Sequence, residues 1–315
     1  MKGKYSITAY NNRIRYELEI ERNITVIKGN SGTGKTTLYS MFRDLLSTNR
    51  YTGVKCNCRD KIKVLDNNSD WKRELSVNTG KFFIADEDTE YITTQEFAES
   101  LNSSDNYFIF ITRSGRMSWL TYSVDCIYEL GTEKVGNVSV TKMYKRYSDI
   151  GKLVKPDLVI SEDSNSGFEM FNLVFDCDVV SAKGRDRVYS TLKSYINRYK
   201  TIYVIVDGSA FGSCIGRLIP FLDKGVFIFS PESVEYLMLL SDTFERYLTS
   251  ELTETYNFCD SIKYLSWERY YTELLKTICK SNYGFSYSKK RLNNFFKSEY
   301  FINHIKNQLT DIDFN

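Results

Sequence analysis

Eight residues near the N-terminus, Gly29-Asn30-Ser31-Gly32-Thr33-Gly34-Lys35-Thr36, leave few folds open to this chain. They fit G-x-x-x-x-G-K-[ST] without a mismatch, and their flanks fit as well. The β-branched run Ile24-Thr25-Val26-Ile27 predicts a strand before the loop. Leu38, Met41, Phe42, Leu45 and Leu46 recur at helical spacing and predict a helix over 36–46. Glycines in such a loop let consecutive backbone N–H groups turn inward on an anion, and the following helix adds partial positive charge at its N-terminus. A strand, a phosphate-sized turn and a helix in that order predict an α/β sheet.

The rest of the first half extends that sheet. Phe82-Phe83-Ile84-Ala85 and Phe108-Ile109-Phe110-Ile111 are apolar throughout, as expected of strands covered on both faces, and Asp125-Cys126-Ile127-Tyr128 is read as another. Val138 to Tyr144 alternates like a hairpin strand, within a seam at 131–156 punctuated by Gly131, Gly136 and Gly151 and closed by Lys155-Pro156. A second α/β series follows at Leu158-Val159-Ile160, Asp178-Val179-Val180, Ile202 to Val206 and Val226 to Phe229. From Pro231 onward the pattern is helical. Tyr236, Leu237, Leu240, Phe244, Tyr247 and Leu248 are expected on one face, with later helices around Trp267 to Ile278 and Leu292 to Leu309. The expected organisation is a first domain over 1–135, a linker or hairpin over 136–156, a second α/β domain over 157–235 and a helical region over 236–315.

Composition excludes several chemistries. Forty-two Lys and Arg face 40 Asp and Glu, so the net charge of +2 gives no global attraction to nucleic acid, and any anion site must be local. One histidine, His304, rules out a two-His metal site and disfavours a Ser/His/Asp hydrolase. The seven cysteines form no C-x-x-C pair, and Cys56-Asn57-Cys58 lacks a second ligand pair for zinc. With no apolar leader and no apolar run approaching about 18 residues, the expected location is the cytoplasm, with no membrane partner.

The loop and the strand ends together resemble the P-loop NTPases, in the form of a compact ATPase of the ABC/AAA-like kind covering about residues 1–135. The resemblance implies ATP and Mg²⁺ as cofactors. Gly29, Asn30, Ser31, Gly32, Thr33, Gly34, Lys35, Thr36 and Thr37 would bind nucleotide, with Lys35 bridging the β- and γ-phosphates and Thr36 ligating Mg²⁺. Phe82 to Ala85 followed by Asp86-Glu87 resembles the Walker B pattern, in which Asp86 holds the metal shell and Glu87 polarises the attacking water. The third strand ends Thr112-Arg113-Ser114, where Arg113 or Thr112 would sense the γ-phosphate; an exposed strand-end arginine is the plainer alternative. Lys35 and Asp86 are 51 residues apart, no LSGGQ-like signature precedes the acidic strand, and no histidine follows the third strand. A dimer sandwiching two ATPs is therefore not implied. Ser181-Ala182-Lys183 matches a guanine-loop triplet, but no Asn/Thr-Lys-x-Asp element accompanies it, so adenine is expected.

In the second half, Glu162 follows Leu158 to Ser161, and Asp207 follows Ile202 to Val206. Parallel strands open their C-terminal ends onto one crevice, so two carboxylates there would suit Mg²⁺. Over about 156–235 the pattern is similar to a Toprim domain, the Rossmann-like metal-binding fold of topoisomerases, primases and the overcoming-lysogenisation-defect (OLD) nucleases. Glu162 and Asp207 would be catalytic and metal-binding. Ser209 stands in place of the second Asp, and Asp163 where Gly commonly follows the Glu. Glu232 and Glu235 fall where related nucleases place another acid. Strand-end acids also cap helices, and Gly208, Gly212 and Gly216 also serve turns and close packing.

Lys142-Met143-Tyr144-Lys145-Arg146-Tyr147, Lys183-Gly184-Arg185-Asp186-Arg187 and Lys289-Lys290-Arg291 are local basic clusters, open to nucleic-acid contact or simply to solvent. The combination resembles a miniature OLD-family ATPase-nuclease. It implies ATP-gated nucleic-acid processing or anti-phage defence, with nucleic acid and a second copy or protein as partners. A non-catalytic ATP-dependent sensor or assembly protein is the alternative, ahead of a small-molecule P-loop kinase.

Overall fold

The computed structural model describes residues 2–47, 52–113, 117–147 and 153–314. Ser114, and the part of the expected linker at 148–152 with Gly151, lie outside the described residues. The chain is α/β and divides into two compact units: residues 1–148 with 254–265, and residues 149–253 with 266–315.

The first unit holds nine strands: β1 (Tyr5–Tyr10), β2 (Ile14–Ile20), β3 (Ile24–Lys28), β4 (Lys55–Cys56), β5 (Ile62–Leu65), β6 (Phe82–Asp86), β7 (Tyr107–Thr112), β8 (Ile127–Val135) and β9 (Val138–Lys145). They form one mixed sheet in the order β4-β1-β2-β9-β8-β3-β7-β6-β5. From β5 to β8 the pairing is parallel. All six residues of β7 and the first four of β6 are buried, which is why their sequences are apolar without alternation. Their aromatics stack in register, Phe82 on Tyr107 at 5.3 Å and Phe83 on Phe108 at 5.6 Å. The strands β1 and β2 alternate instead, burying Ile7 and Ala9 opposite Leu18 and Tyr16 while polar neighbours face outward.

Helix α1 (Lys35–Leu46) follows β3 and buries Leu38, Met41, Phe42 and Leu45 against this sheet. Helices α2 (Trp71–Val77) and α3 (Gln95–Asn102) flank β6. The strand expected at Asp125 begins later, because Val124–Cys126 is a 3-10 turn capped by the Ser123 side chain. Val138–Lys145 is the hairpin strand expected there: it pairs antiparallel with β8 and also parallel with β2, and so belongs to the first unit's sheet.

The second unit holds β10 (Leu158–Ser161), β11 (Asp178–Ser181), β12 (Ile202–Ile205) and β13 (Val226–Phe229), all parallel in the order β11-β10-β12-β13. Its helices include α4 (Ser166–Val174), α5 (Val188–Tyr195), α6 (Gly212–Ile215), α7 (Val234–Leu239) and α8 (Asp242–Glu245). The single helical face expected from Tyr236 to Leu248 is broken between α7 and α8, where Ser241 caps the second of them. Helix α9 (Thr255–Phe258) groups with the first unit, so the expected helical region 236–315 is not one block. Helices α10 (Trp267–Tyr283) and α11 (Glu299–Gln308) pack on α7, and α11 also packs on α4. Among the described residues no helix is long and apolar enough to cross a membrane.

Candidate functional site

Strand register builds the first site. Lys28 at the end of β3 lies opposite Thr112 of β7, and Ile111 of β7 lies opposite Asp86 of β6. Gly29 and Arg113 therefore leave β3 and β7 at one level, and Glu87 leaves β6 one residue earlier, with neighbouring strands about 4.8 Å apart. Gly32 and Gly34 both take φ of +85°, a conformation that side chains rarely adopt. Gly34 has a second constraint: a Cβ there would stand 3.0 Å from the Tyr16 hydroxyl, which donates to the Gly34 carbonyl at 2.8 Å.

The Lys35 side chain is only 6% exposed and folds back over the loop. Its ammonium donates to the carbonyls of Gly29 and Asn30, each at 2.6 Å, and to the Thr33 hydroxyl at 3.1 Å. All three partners are neutral. Burial lowers the Lys35 pKa first, then the nearby Arg113 charge, with Glu87 partly offsetting them. Residues 31–37 and Arg113 line a cavity of about 270 Å³. Backbone amides, hydroxyls and two cations around a small polar cavity are a donor set for phosphate oxygens.

Opposite the loop, Arg113 holds Glu87 by two bonds. Its backbone N–H donates to Glu87 Oε2 at 2.6 Å, and its Nε pairs with Oε1 at 3.0 Å. Asp86 is half-buried and accepts from the Asp88 N–H at 3.2 Å and the Thr89 hydroxyl at 3.3 Å. Burial raises its pKa, with Asp88 adding to the effect. Thr36 is exposed beside the loop. For Mg²⁺ on bound phosphate, the Thr36 hydroxyl and the Asp86 carboxylate supply hard oxygen donors of the right kind.

The second unit also brings its expected acids together. Ser161 pairs with Ile205, so Glu162 and Asp207 leave adjacent strands, and Glu162 Oε2 accepts the Asp207 N–H at 2.9 Å. Burial raises the Glu162 pKa to about 7. It raises that of Asp207 well above the ordinary range, with Glu268 and Glu162 adding to it. Asp163 has a plainer role. Its carboxylate accepts the N–H groups of Ser164, Asn165 and Gly167 and caps the entry to α4.

Of the neighbouring groups, Glu235 was expected as a further acid and Lys289 only as part of a basic cluster, while Glu268 and the pairing between them were not foreseen. Glu235 on α7 is 2% exposed and accepts from the Tyr287 hydroxyl at 3.1 Å. Lys289 pairs with Glu268 of α10 and with Glu235 at 3.5 Å. Burial works against its charge, but Glu235, Glu268 and Asp207 more than offset that and raise its pKa. Lys289 is thus the one member of its basic triplet directed at carboxylates, while Lys290 and Arg291 are exposed. No local pattern carried the pairing, because Lys289 lies in a turn and its partner Glu268 is 21 residues earlier.

These carboxylates do not fit a divalent metal. Among the described residues no group of three or more His, Cys, Asp and Glu is placed to hold one. Ser209, in the third expected position, turns its hydroxyl to Glu232 at 2.6 Å. Its neighbour Gly208 is required by close approach, since a Cβ would lie 2.3 Å from the Ser230 carbonyl oxygen. Beside this edge Lys183 takes φ of +59°, the only such non-glycine among the described residues.

The basic clusters are partly neutralised. Lys142 pairs with Glu133, Lys145 with Asp125 and Arg146 with Glu129 across the β8–β9 region, and Arg185 donates to the Ala210 carbonyl. Comparison with protein-family models, curated proteins and solved structures finds no match to this chain.

Proposed function

We propose that the first unit binds ATP with Mg²⁺ and hydrolyses it slowly, in the manner of a compact P-loop ATPase. One observation carries the reading: residues 31–37 and Arg113 line one polar cavity where β3 and β7 end, and Glu87 at the end of neighbouring β6 is bonded to Arg113. Gly29, Asn30, Ser31, Gly32, Thr33, Gly34 and Thr37 would cradle the phosphates, and Lys35 would leave its carbonyl partners for the β- and γ-oxygens. When bound, Mg²⁺ supplies charge neutralisation on the phosphate oxygens, with Thr36 and Asp86 as the protein's ligands. Glu87 would hold the attacking water in line. Arg113 is shared between Glu87 and the cavity, so a γ-phosphate would compete for it. Steady-state ATP hydrolysis tests this. Glu87→Gln should retain nucleotide and lose turnover by at least ~100-fold, the scale of one positioned catalytic group. Unchanged turnover in Glu87→Gln would remove this residue from the mechanism.

For the second unit, a Toprim-like fold of the OLD kind would make the whole an ATP-gated nucleic-acid-processing or defence protein. A specific observation favours the other class, an ATP-dependent sensor or assembly protein. Ser209 is committed to Glu232, one Glu162 oxygen accepts the Asp207 N–H, and among the described residues no group of three or more acids, His or Cys is placed to hold a metal. Plasmid and single-strand cleavage with Mg²⁺ or Mn²⁺, with and without ATP, separates the two: the sensor predicts no nicking. Nicking lost in Glu162→Ala and Asp207→Ala would establish the nuclease.

A further inference from the structure

We propose that Cys56 and Cys58 form a reversible disulfide site at the edge of the first unit's sheet, oxidised by low-molecular-weight disulfides such as glutathione disulfide. All seven cysteines are free thiols, and here two of them meet, with the Sγ atoms 3.7 Å apart. A disulfide needs about 2.05 Å, so the sulfurs must approach by less than about 2 Å. The backbone presets this. Cys56 lies opposite the buried Ala9 in the β4–β1 pair, and residues directly opposite share a face. Both Cys56 and Cys58 pack against the first unit's apolar core. Between them the exposed Asn57 is fastened to β1 by three bonds. Its N–H donates to the Thr8 carbonyl at 3.2 Å, its Oδ1 accepts the Thr8 N–H at 3.0 Å, and its Nδ2 donates to the Ser6 carbonyl at 2.9 Å. That strut keeps the turn from straightening and carrying the sulfurs apart.

Access singles out this pair. Strand β4 ends the sheet and both thiols are half-buried, whereas Cys126, Cys214, Cys259 and Cys279 are buried. Cys177 is also half-buried, but burial raises its pKa and the neighbouring Asp178, Asp157 and Asp176 oppose its thiolate. The hydrogen bond from Cys58 lowers the Cys56 pKa, and the same contact together with burial raises that of Cys58. Cys56 is therefore the attacking sulfur. Its thiolate attacks one sulfur of glutathione disulfide, breaking that S–S bond and releasing one glutathione. Cys58 then loses its proton and attacks Cys56 Sγ, and the second glutathione leaves. Two cysteine thiols are oxidised, one glutathione disulfide is reduced to two glutathiones, and the two cysteine protons end on them. Such a site follows the thiol–disulfide balance of its surroundings. The inference depends neither on nucleotide binding by the first unit nor on the reading of the second.

The test is incubation of the whole native chain with glutathione disulfide at neutral pH, blocking with N-ethylmaleimide, and mass spectrometry of tryptic peptides. Cleavage after Lys55 and Arg59 leaves both cysteines on one peptide, 56–59. That peptide should carry an internal disulfide and no blocking group, and should regain both thiols with dithiothreitol. Cys58→Ser should stop with glutathione bound to Cys56. Asn57→Ala should close the disulfide at least ~10-fold more slowly, because the sulfurs are no longer held together. If Asn57→Ala does not fold, wild type in urea takes its place, with the same slower closure expected. A wild-type chain that stops at a mixed disulfide with glutathione, or reacts first at Cys177, would overturn the proposal. So would closure at an unchanged rate in Asn57→Ala or in urea.

Discussion

Single residues at the two strand-end edges show how little room the chemistry leaves. Gly208 is the clearest case. Its N–H donates to the Pro231 carbonyl at 2.6 Å, and the neighbouring Ser209 N–H to the Glu232 carbonyl at 3.2 Å, so two backbone segments run in contact. A methyl group at 208 would press on backbone carbonyls that cannot rotate away. Gly208→Ala should therefore cost about 1–3 kcal/mol, the usual range for overpacking, read as a lowered midpoint in urea. Gly136 has φ of +62° but open space around it, so Gly136→Ala should cost only about 1 kcal/mol of backbone strain. Equal costs at the two sites would contradict the close-approach argument.

At the scale of elements, burial decided what the sequence revealed. The strands β3, β6, β7, β10, β12 and β13 were legible because most of their residues are apolar. The edge and half-exposed strands β1, β2, β4 and β5 were not picked out, since Lys, Glu, Arg and Thr occupy their outward positions and break the apolar run. The glycine loop was legible because spacing and flanks both encode it. Lys289 was not, because its partners Glu235 and Glu268 are far away in sequence and only the fold brings them close. The α7–α8 break falls at the short polar run Ser241-Asp242-Thr243 within an otherwise apolar pattern. Ser241 accepts the Thr243 N–H at 3.3 Å and bonds the Tyr300 hydroxyl at 3.0 Å. Ser241→Ala should cost about 1 kcal/mol in chemical denaturation, as loss of a helix cap does.

For the molecule as a whole, the two units report on different conditions. In the second, Glu162 carries a pKa raised from 4.5 to about 7 on folding, so between these values the folded chain binds more protons than the unfolded one. Its contribution is then fully favourable below about pH 4.5 and is lost as pH rises through about 7, a change on the order of 3 kcal/mol. Glu162→Gln should flatten the dependence of stability on pH across that window; an unchanged slope would show that Glu162 is not the group responsible. In the first unit, stability should answer to nucleotide. The most direct measurement is the thermal stabilisation of the whole chain by ATP with Mg²⁺, comparing wild type with Lys35→Ala. Ligand at 100 times its dissociation constant stabilises the folded state by about 2.7 kcal/mol, a rise of several degrees at most in a chain of this size. Lys35→Ala, which removes a buried cation from the phosphate cavity, should weaken binding by about 100-fold and cut the stabilisation at the same ATP concentration to about 0.4 kcal/mol. The account predicts a clear shift in wild type and one of about a degree or less in the variant; equal stabilisation of both chains would contradict it.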